Sequence, residues 1–248
     1  MQGKMKALTG FISVVLALPL AGETQTTGIS LVQSKGDSIV SVPMQIVVLL
    51  TVLTILPAVV MSVTPFLRIT VVLHFLRQAL GTQTTPSNQV LIGLSLFLTV
   101  LIMQPVLTDI YHAGWEPLEN GTSSWQKAFD DGSQPLKTFL TRFVREKDVH
   151  LFLDISHTPP PRKPADLSLT VLVPAYILSE LKASFQIGVV LFLPFLVIDL
   201  LVASVTHAIG MMQLPPVMLS APFKILLFVL VDGWNLIVGS LLRSFYST

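Results

Sequence analysis

The chain has 248 residues, of which 52% are hydrophobic and only 12% are charged, and it contains no cysteine. Soluble domains carry roughly 25% charged residues, so this composition, with a mean hydropathy of +0.73, indicates an integral membrane protein. A net charge of +1 without clustered Lys and Arg excludes nucleic-acid binding, and the lack of cysteine excludes disulfides, thiolate catalysis and zinc–cysteine sites.

The first 21 residues have the layout of a secretory signal peptide. Two lysines precede an apolar stretch that ends at Leu20, and small and polar residues follow it. About 14 apolar residues reach only about 21 Å as a helix, which is short of a bilayer core of about 30 Å. We therefore predict a cleaved signal at residues 1–21, with an uncleaved membrane helix as the alternative, and an external segment at residues 22–42.

Four further segments are apolar and long enough to cross, or nearly cross, a membrane. They are Val42 to Val63 with Pro57, Val90 to Leu107 with Pro105, Phe185 to Thr206 with Pro194 and Asp199, and Pro216 to Leu242 with Lys224, Asp232 and Gly233. The sequence therefore predicts an all-α chain with about four long hydrophobic helices. These helices form two hairpins, residues 43–108 and 169–248, which are joined by residues 109–168.

Basic residues in short loops favour the cytoplasmic side of a membrane and set the orientation. Residues 64–89 contain two arginines and no acid, whereas the stretch from Asp109 to Lys182 holds eight Lys or Arg against ten Asp or Glu. We therefore predict that residues 64–89 and the turn at residues 207–218 lie inside, and that the long connecting segment lies outside.

Within residues 64–89, the stretch FLRITVVLHFLRQAL predicts an amphipathic helix. Its polar face consists of Thr70, His74, Arg77 and Gln78. Gly81 is placed to end this helix. We expect the helix to face a partner through Arg68, His74 and Arg77.

The long connecting segment, residues 109–168, contains a second amphipathic pattern, which we predict to begin at Pro135. Its apolar stripe has helical spacing and consists of Leu136, Phe139, Leu140, Phe143 and Val144. The prolines of HTPPPRKPAD, residues 157–166, favour an extended spacer. Residues 109–168 are therefore predicted to hold a docked helix followed by a spacer.

The sequence carries no pattern typical of an enzyme. It has no GxxxxGK, HExxH or GxSxG motif, and its five histidines show no metal-ligand spacing. We predict neither catalysis nor a metal or cofactor site.

Three ionisable residues interrupt the last hairpin, namely Asp199, Lys224 and Asp232. One interpretation is an ion relay of the kind found in transporters. A second is a structural polar network, with Lys224 paired to an acid such as Glu180, because an unpaired buried charge costs several kcal/mol. A third is that these helices line an aqueous path.

Three long stretches closely resemble the FliP family. They are TPFLRITVVLHFLRQALGTQTTPSNQVLIGLSLFLTVLIMQPV, LVPAYILSELKASFQIGVVLFLPFLVIDLLVASV and GMMQLPPVMLSAPFKILLFVLVDGW. The resemblance covers about residues 43 to 240. FliP proteins are core components of the flagellar type III protein export gate. The related SctR branch of virulence injectisomes shares this core, but the signal peptide and the long external segment favour the flagellar branch.

The resemblance implies a function that hydropathy does not supply. In this family several copies, five being expected, assemble with FliQ and FliR into a ring-like or helical channel that also contacts FlhB and FlhA. Unfolded flagellar subunits pass through the channel as cargo. The expected location is the flagellar basal body in the bacterial inner membrane, among lipid and with much of the complex raised toward the periplasm. The alternatives are an SctR-type gate subunit or an ion-coupled transporter using Asp199 and Asp232.

The resemblance also implies roles for single residues. In the family, methionines before Leu and Pro form a ring that seals the pore, and the matching residues here are Met211, Met212 and Gln213, the last being a departure. Methionine adapts to a deformable seal, and an apolar ring gates by dewetting. The alternative is that these methionines only fill a turn. Glu180 and Lys224 also lie in matching stretches, and we expect them to pair within or between subunits.

Overall fold

The structure of the chain, a computed structural model, describes residues 42–82, 84–157, 159, 166–210 and 215–246. The chain divides into two compact units, Met1–Gln45 and Ile46–Thr248, and only residues 42–45 of the first are described. Several predicted features lie outside the described residues: the signal peptide, nearly all of the segment 22–42, most of the proline-rich spacer, and Met211, Met212 and Gln213.

The described residues are helical with connecting turns and contain no strand, which confirms the all-α prediction. In chain order the helices are α1 (Val42–Ser62), α2 (Phe66–Ala79), α3 (Asn88–Ile110), α4 (Glu116–Glu119), α5 (Trp125–Phe143), α6 (Glu146–Ile155), α7 (Leu169–Ala208), α8 (Pro216–Leu230) and α9 (Gly233–Tyr246). A π-helical turn, Tyr111–Trp115, joins α3 to α4. Among the described residues, three helices are long and apolar enough to cross a membrane, or four if the bent pair of α8 and α9 is one span.

The hydrophobic core lies where α2 packs along the first half of α7, with α3, α5 and α6 around them. Its most deeply buried side chains are Ile69, Val72, Leu73, Leu76, Leu91, Leu140, Leu172 and Tyr176. The stripe predicted on the external helix docks here, because Phe139 and Leu140 are buried and Leu136 and Phe143 pack against them. We refer to this part, formed by α2, α3, α5, α6, residues 169–188 of α7, and α9, as the bundle.

The start of the external helix differs from the prediction. Helix α5 begins at Trp125, where the hydroxyl oxygen of Ser124 accepts a hydrogen bond from the backbone N–H of Lys127 at 3.4 Å. Pro135 lies inside the helix and not at its start, so that prediction is wrong. A proline inside a helix removes one backbone hydrogen bond, and the packing of the apolar stripe on the bundle outweighs that loss.

Helix α7 is much longer than the predicted segment from Phe185 to Thr206. It has 40 residues, with Pro174 and Pro194 inside it, and is about 60 Å long, twice the thickness of a bilayer core of about 30 Å. The first half carries buried residues of the bundle, whereas the second half exposes apolar side chains such as Val190 and Leu193. We refer to residues 189–208 together with α8 as the hairpin arm.

The fourth predicted segment is broken into two helices. Helices α8 and α9 are bent by 65° relative to each other at residues 231 and 232. Asp232 has φ of +50°, in the left-handed region that residues other than glycine rarely adopt. The predicted segment from Pro216 to Leu242 therefore consists of two helices, because the left-handed residue turns the chain.

Candidate functional site: two charged clusters on the long helix

Arg68 of α2 and Glu180 of α7 form a buried, two-pronged ion pair inside the bundle. The Nε of Arg68 donates to Oε2 of Glu180 at 2.7 Å, and Nη2 donates to Oε1. Glu180 has no exposed surface. Forked Arg–carboxylate pairs fix geometry as well as charge, and a buried carboxylate without a partner would be costly. The pair therefore sets how α2 lies along α7.

The guanidinium of Arg68 also reaches the end of the chain. Its Nη1 donates to Oγ of Ser244 at 3.3 Å, and its Cζ lies 4.2 Å from the ring centroid of Phe245. The ring of Phe143 lies 5.6 Å from the same carbon. Cations are attracted to aromatic faces at such distances. We refer to Arg68, Glu180, Ser244, Phe245 and Phe143 as the Arg68 cluster, which joins α2, α5, α7 and α9.

Within this chain Arg68 therefore contacts other residues of the bundle, and the prediction that it faces a partner is corrected. A helix over FLRITVVLHFLRQAL, residues 66–80, was expected, and α2 covers Phe66–Ala79, with Gly81 beyond its end at φ of +76°. However, Arg68 points into the bundle, because Glu180 lies on the neighbouring helix.

His74 and Arg77 remain on the outer side of α2. The Nδ1 of His74 lies 2.8 Å from the carbonyl oxygen of Thr70, one helical turn back. Arg77 donates to Oδ1 of Asn88 at 2.6 Å and to the carbonyl of Pro86 at 3.3 Å. Arg77 thus fixes the connection between α2 and α3, and half-buried His74 is left on the surface.

A polar contact next to Glu180 was not singled out from the sequence. The hydroxyl of Ser179 donates to Oδ2 of Asp148 at 2.6 Å and accepts from the backbone N–H of Arg145 at 3.1 Å. The guanidinium of Arg145 lies 3.1 Å from the same carboxylate oxygen. Asp148 sits in the first turn of α6, where acids are favoured. That position was the only available signal, and the contact attaches α6 to α7.

Asp199 and Lys224 form the second charged cluster, in the hairpin arm. Nζ of Lys224 donates to Oδ2 of Asp199 at 2.7 Å, and the hydroxyl of Ser220 donates to Oδ1 at 2.5 Å. Lys224 is only 3% exposed. Such a pair is what the structural interpretation of these residues expects, with Asp199 as the acid, and the three interpretations of their role stay predictions. We refer to Asp199, Ser220 and Lys224 as the Asp199 cluster.

Glu180 and Lys224 do not pair within the chain, as each has another partner. Asp199, which holds Lys224, lies about five turns beyond Glu180 on α7, roughly 28 Å away. A contact between Glu180 and Lys224 of different copies stays a prediction. Asp232 lies exposed at the bend between α8 and α9, and its backbone carbonyl accepts from the N–H of Leu236.

The described residues show no group of three or more His, Asp or Glu side chains placed to hold a metal ion. A family model described as the FliP family matches residues 49–241. The chain belongs to the FliP family.

Relatives from three bacteria support this assignment. The chain is 49% identical over 213 residues to the flagellar biosynthetic protein FliP of Pectobacterium carotovorum subsp. carotovorum, covering 86% of this chain and 83% of the relative. Its identity to the protein of the same name from Bacillus subtilis (strain 168) is 48%, covering 88% and 98%. For that of Cereibacter sphaeroides the identity is 47%, covering 88% and 72%. The chain is thus a membrane-embedded component of the flagellar export apparatus and not an enzyme.

In this FliP-family chain the Asp199 cluster lies close to the end of α7 in the hairpin arm. Helix α7 ends at Ala208, and Gly210 has φ of +80°. Asp199 lies about 15 Å from residue 209 along the helix. The rings of Phe195 and Phe228 lie 6.4 Å apart on the two helices of the arm. The cluster and this ring contact hold together the two helices of the arm, on either side of residues 209–215.

Proposed function

We propose that this chain is a core subunit of the flagellar type III protein export gate. With FliQ and FliR it forms the channel through which unfolded flagellar proteins cross the inner membrane, and it is required for flagellum assembly. The observation that carries the proposal is the hairpin arm, a long apolar hairpin that extends from a packed bundle and is held by the partly buried ion pair of Lys224 with Asp199.

The exposed apolar surface of the chain supports assembly in several copies. Helix α1 exposes its apolar side chains all round, and the arm exposes an apolar face. Representative side chains are Leu53, Val190, Leu193, Leu200, Phe223 and Leu226. Lipid covers part of such a surface, and neighbouring subunits cover the rest. Five copies are expected from the family, together with contacts to FlhB and FlhA, and His74 on α2 faces one of these partners.

The turn of the arm is the part of the chain that we assign to the pore. Each copy contributes Met211 and Met212, with Gln213, to a ring that closes the resting channel. Support comes from the Asp199 cluster, because a seal needs side chains held at a fixed depth by rigid helices. Replacing both methionines with glycine should raise the leak of ions across the inner membrane. The same change at Met218, on α8, serves as the control.

The alternatives receive less support. An ion-coupled transporter would need Asp199 and Asp232 along one path, but Asp199 is paired with Lys224 and Asp232 lies at the exposed bend. An SctR-type injectisome subunit shares the core, yet the relatives named above are flagellar proteins. We therefore propose that the chain lies in the bacterial inner membrane, in the flagellar basal body, with substantial exposure on the periplasmic side.

Co-purification tests the proposal. The tagged chain is expressed with and without FliQ and FliR of the same bacterium, extracted in a mild detergent, and weighed by native mass spectrometry. The expected result is a large complex that contains several copies of this chain with both partners. A small oligomer that binds neither FliQ nor FliR would contradict the proposal.

A further inference from the structure

We propose that the bend between α8 and α9 is a hinge with two states. In the docked state, described above, α9 folds back onto the Arg68 cluster. In the released state α9 leaves the bundle and continues the direction of α8 as one apolar helix. This inference goes beyond the export function, since it concerns how the chain changes shape between membrane insertion and its packed form.

The backbone at the bend is strained in the docked state. Asp232 has φ of +50°, a left-handed conformation that clashes with the Cβ of most residues and is tolerated best by Gly, Asn and Asp. A helical conformation at this residue would remove the strain and straighten the chain. Contacts elsewhere therefore have to offset the strain at Asp232 in the docked state.

The side chains around the bend also depend on the docked geometry. A Cβ added to Gly233 would overlap the ring of Phe228, so the backbone of α9 approaches that ring as only glycine allows. The ring of Trp234 meets Phe228 edge-on, with 5.4 Å between centroids. Phe228 in turn contacts Phe195 of α7. The hinge is thus built from a left-handed residue followed by a glycine against an aromatic ring.

Three consecutive residues at the end of α9 supply the compensating contacts. Ser244 accepts a hydrogen bond from Arg68, Phe245 covers the guanidinium, and Tyr246 donates to the carbonyl of Leu101 on α3 at 3.2 Å. Phe245 is buried, as is Leu241 one turn earlier. These contacts form a latch, which we define as residues 244–246, at the far end of α9 from the hinge.

The released state is compatible with the membrane. The residues from Met218 to Leu230 and from Gly233 to Tyr246 are together apolar enough for one span that is broken at the bend. A straight helix over this stretch is about 44 Å long, more than a bilayer core of about 30 Å. Such a span suits insertion, and closing the latch on Arg68 then converts it to the bent form.

The absence of cysteine from the whole chain makes a distance measurement straightforward. Spin labels are attached to cysteines introduced at Phe97 on α3 and Ser240 on α9, both exposed, in the full chain in lipid nanodiscs diluted with unlabelled protein. Pulsed electron resonance then gives the distribution of distances. The docked state gives a short distance and the released state a longer one.

Substitutions at Asp232 separate backbone strain from charge. Asp232→Gly and Asp232→Asn both accept the left-handed conformation and should keep the short distance. Asp232→Val opposes it through its branched side chain and should raise the released fraction by about tenfold. Removing the latch with Ser244→Ala and Phe245→Ala should have the same effect.

Gly233→Ala is a second hinge variant, for use if the Asp232→Val chain does not fold. Its control is Gly239→Ala, because nothing lies within 4 Å of a Cβ added at Gly239.

A control variant is needed that loosens the bundle away from the hinge and the latch. Gly188→Ala strains the contact of α7 with Phe75 far from the hinge and should leave the distance distribution unchanged. The proposal is overturned if the hinge and latch variants keep the single short distance of the unaltered chain. It is equally overturned if Gly188→Ala releases α9 as much as they do.

Discussion

The hydroxyl of Tyr246 donates a hydrogen bond to the backbone carbonyl of Leu101, with 3.2 Å between the two oxygens. In a regular helix this carbonyl would accept from the N–H of the residue four positions later, which is Pro105 and has none. The last helix of the chain therefore supplies a hydrogen bond that a proline removes from α3. An unsatisfied carbonyl is costly in an apolar environment.

Removing the Tyr246 hydroxyl should weaken the fold only while Pro105 is present. We expect Tyr246→Phe to lower the free energy of unfolding by about 0.5–1.5 kcal/mol, measured by denaturant titration in detergent. In a Pro105→Ala chain, alanine supplies the missing N–H, and Tyr246→Phe should then cost almost nothing. Equal losses in both backgrounds would show that Tyr246 does not act through Leu101.

Breaking the Arg68–Glu180 pair from one side should be severe. Arg68→Ala or Glu180→Ala leaves a buried charge without its partner, which typically costs about 3–5 kcal/mol. The double change to Met and Leu removes both charges and should recover most of the lost stability, because a well-packed apolar pair is often as stable as a buried ion pair. Thermal unfolding of the purified chain compares the stability of the single and double variants.

Arg68→Lys is the matched control for that pair. Lysine keeps the charge but lacks the planar fork that contacts both oxygens of Glu180 and lies against Phe245. We expect a clear loss of stability, smaller than that of Arg68→Ala. A lysine variant as stable as the unaltered chain would mean that only charge, and not the forked geometry, matters at this site.

The contact between α2 and α7 should not tolerate a methyl group at Gly188. A Cβ at this position would lie 2.5 Å from the ring of Phe75, and overpacking of this kind typically costs about 1–3 kcal/mol. Gly93 offers the opposite case, a helical glycine with open space around it. Gly93→Ala should stabilise the chain by about 0.5–1 kcal/mol. Changes of the same sign at both sites would contradict the packing of Phe75 against Gly188.

The Asp199–Lys224 pair should be required for export as a pair. Either Asp199→Lys or Lys224→Asp alone places like charges together in the arm and should abolish swimming of the bacterium. The double exchange restores an opposite-charge pair and should return part of the motility on soft agar, with the chain present at normal level in the membrane. Failure of the double exchange to improve on either single change would argue against direct pairing.

Much of the fold follows from local sequence patterns. The apolar stripe through Phe139 and Leu140, the end of α2 at Gly81 and the long apolar helices were all predictable, because each depends on residues within a few turns. The start of α5 was missed since Pro135 resembled a helix beginning, although Ser124 carried a capping signal. The bend at Asp232 was missed because the hydrophobic pattern continues through it.

The partners of the charged residues could not be predicted in the same way. Arg68 and Glu180 are 112 positions apart, and only tertiary packing brings them together. The sequence therefore predicted that Arg68 faces a partner, whereas its side chain lies inside the bundle at the centre of the Arg68 cluster. For Lys224 an acidic partner was foreseen from the cost of an unpaired charge, but the choice of Asp199 over Glu180 depends on the antiparallel pairing of α7 with α8.

Site-specific photo-crosslinking can show whether exported chains pass residues 209–215 of the hairpin arm. A photoreactive amino acid is placed at Met211 or Met212 in cells that carry a flagellar export substrate stalled by a folded fusion domain. We expect crosslinks to the stalled substrate from both positions, and none from Phe97, an exposed residue of α3. Crosslinks from Phe97 with none from Met211 or Met212 would contradict the account.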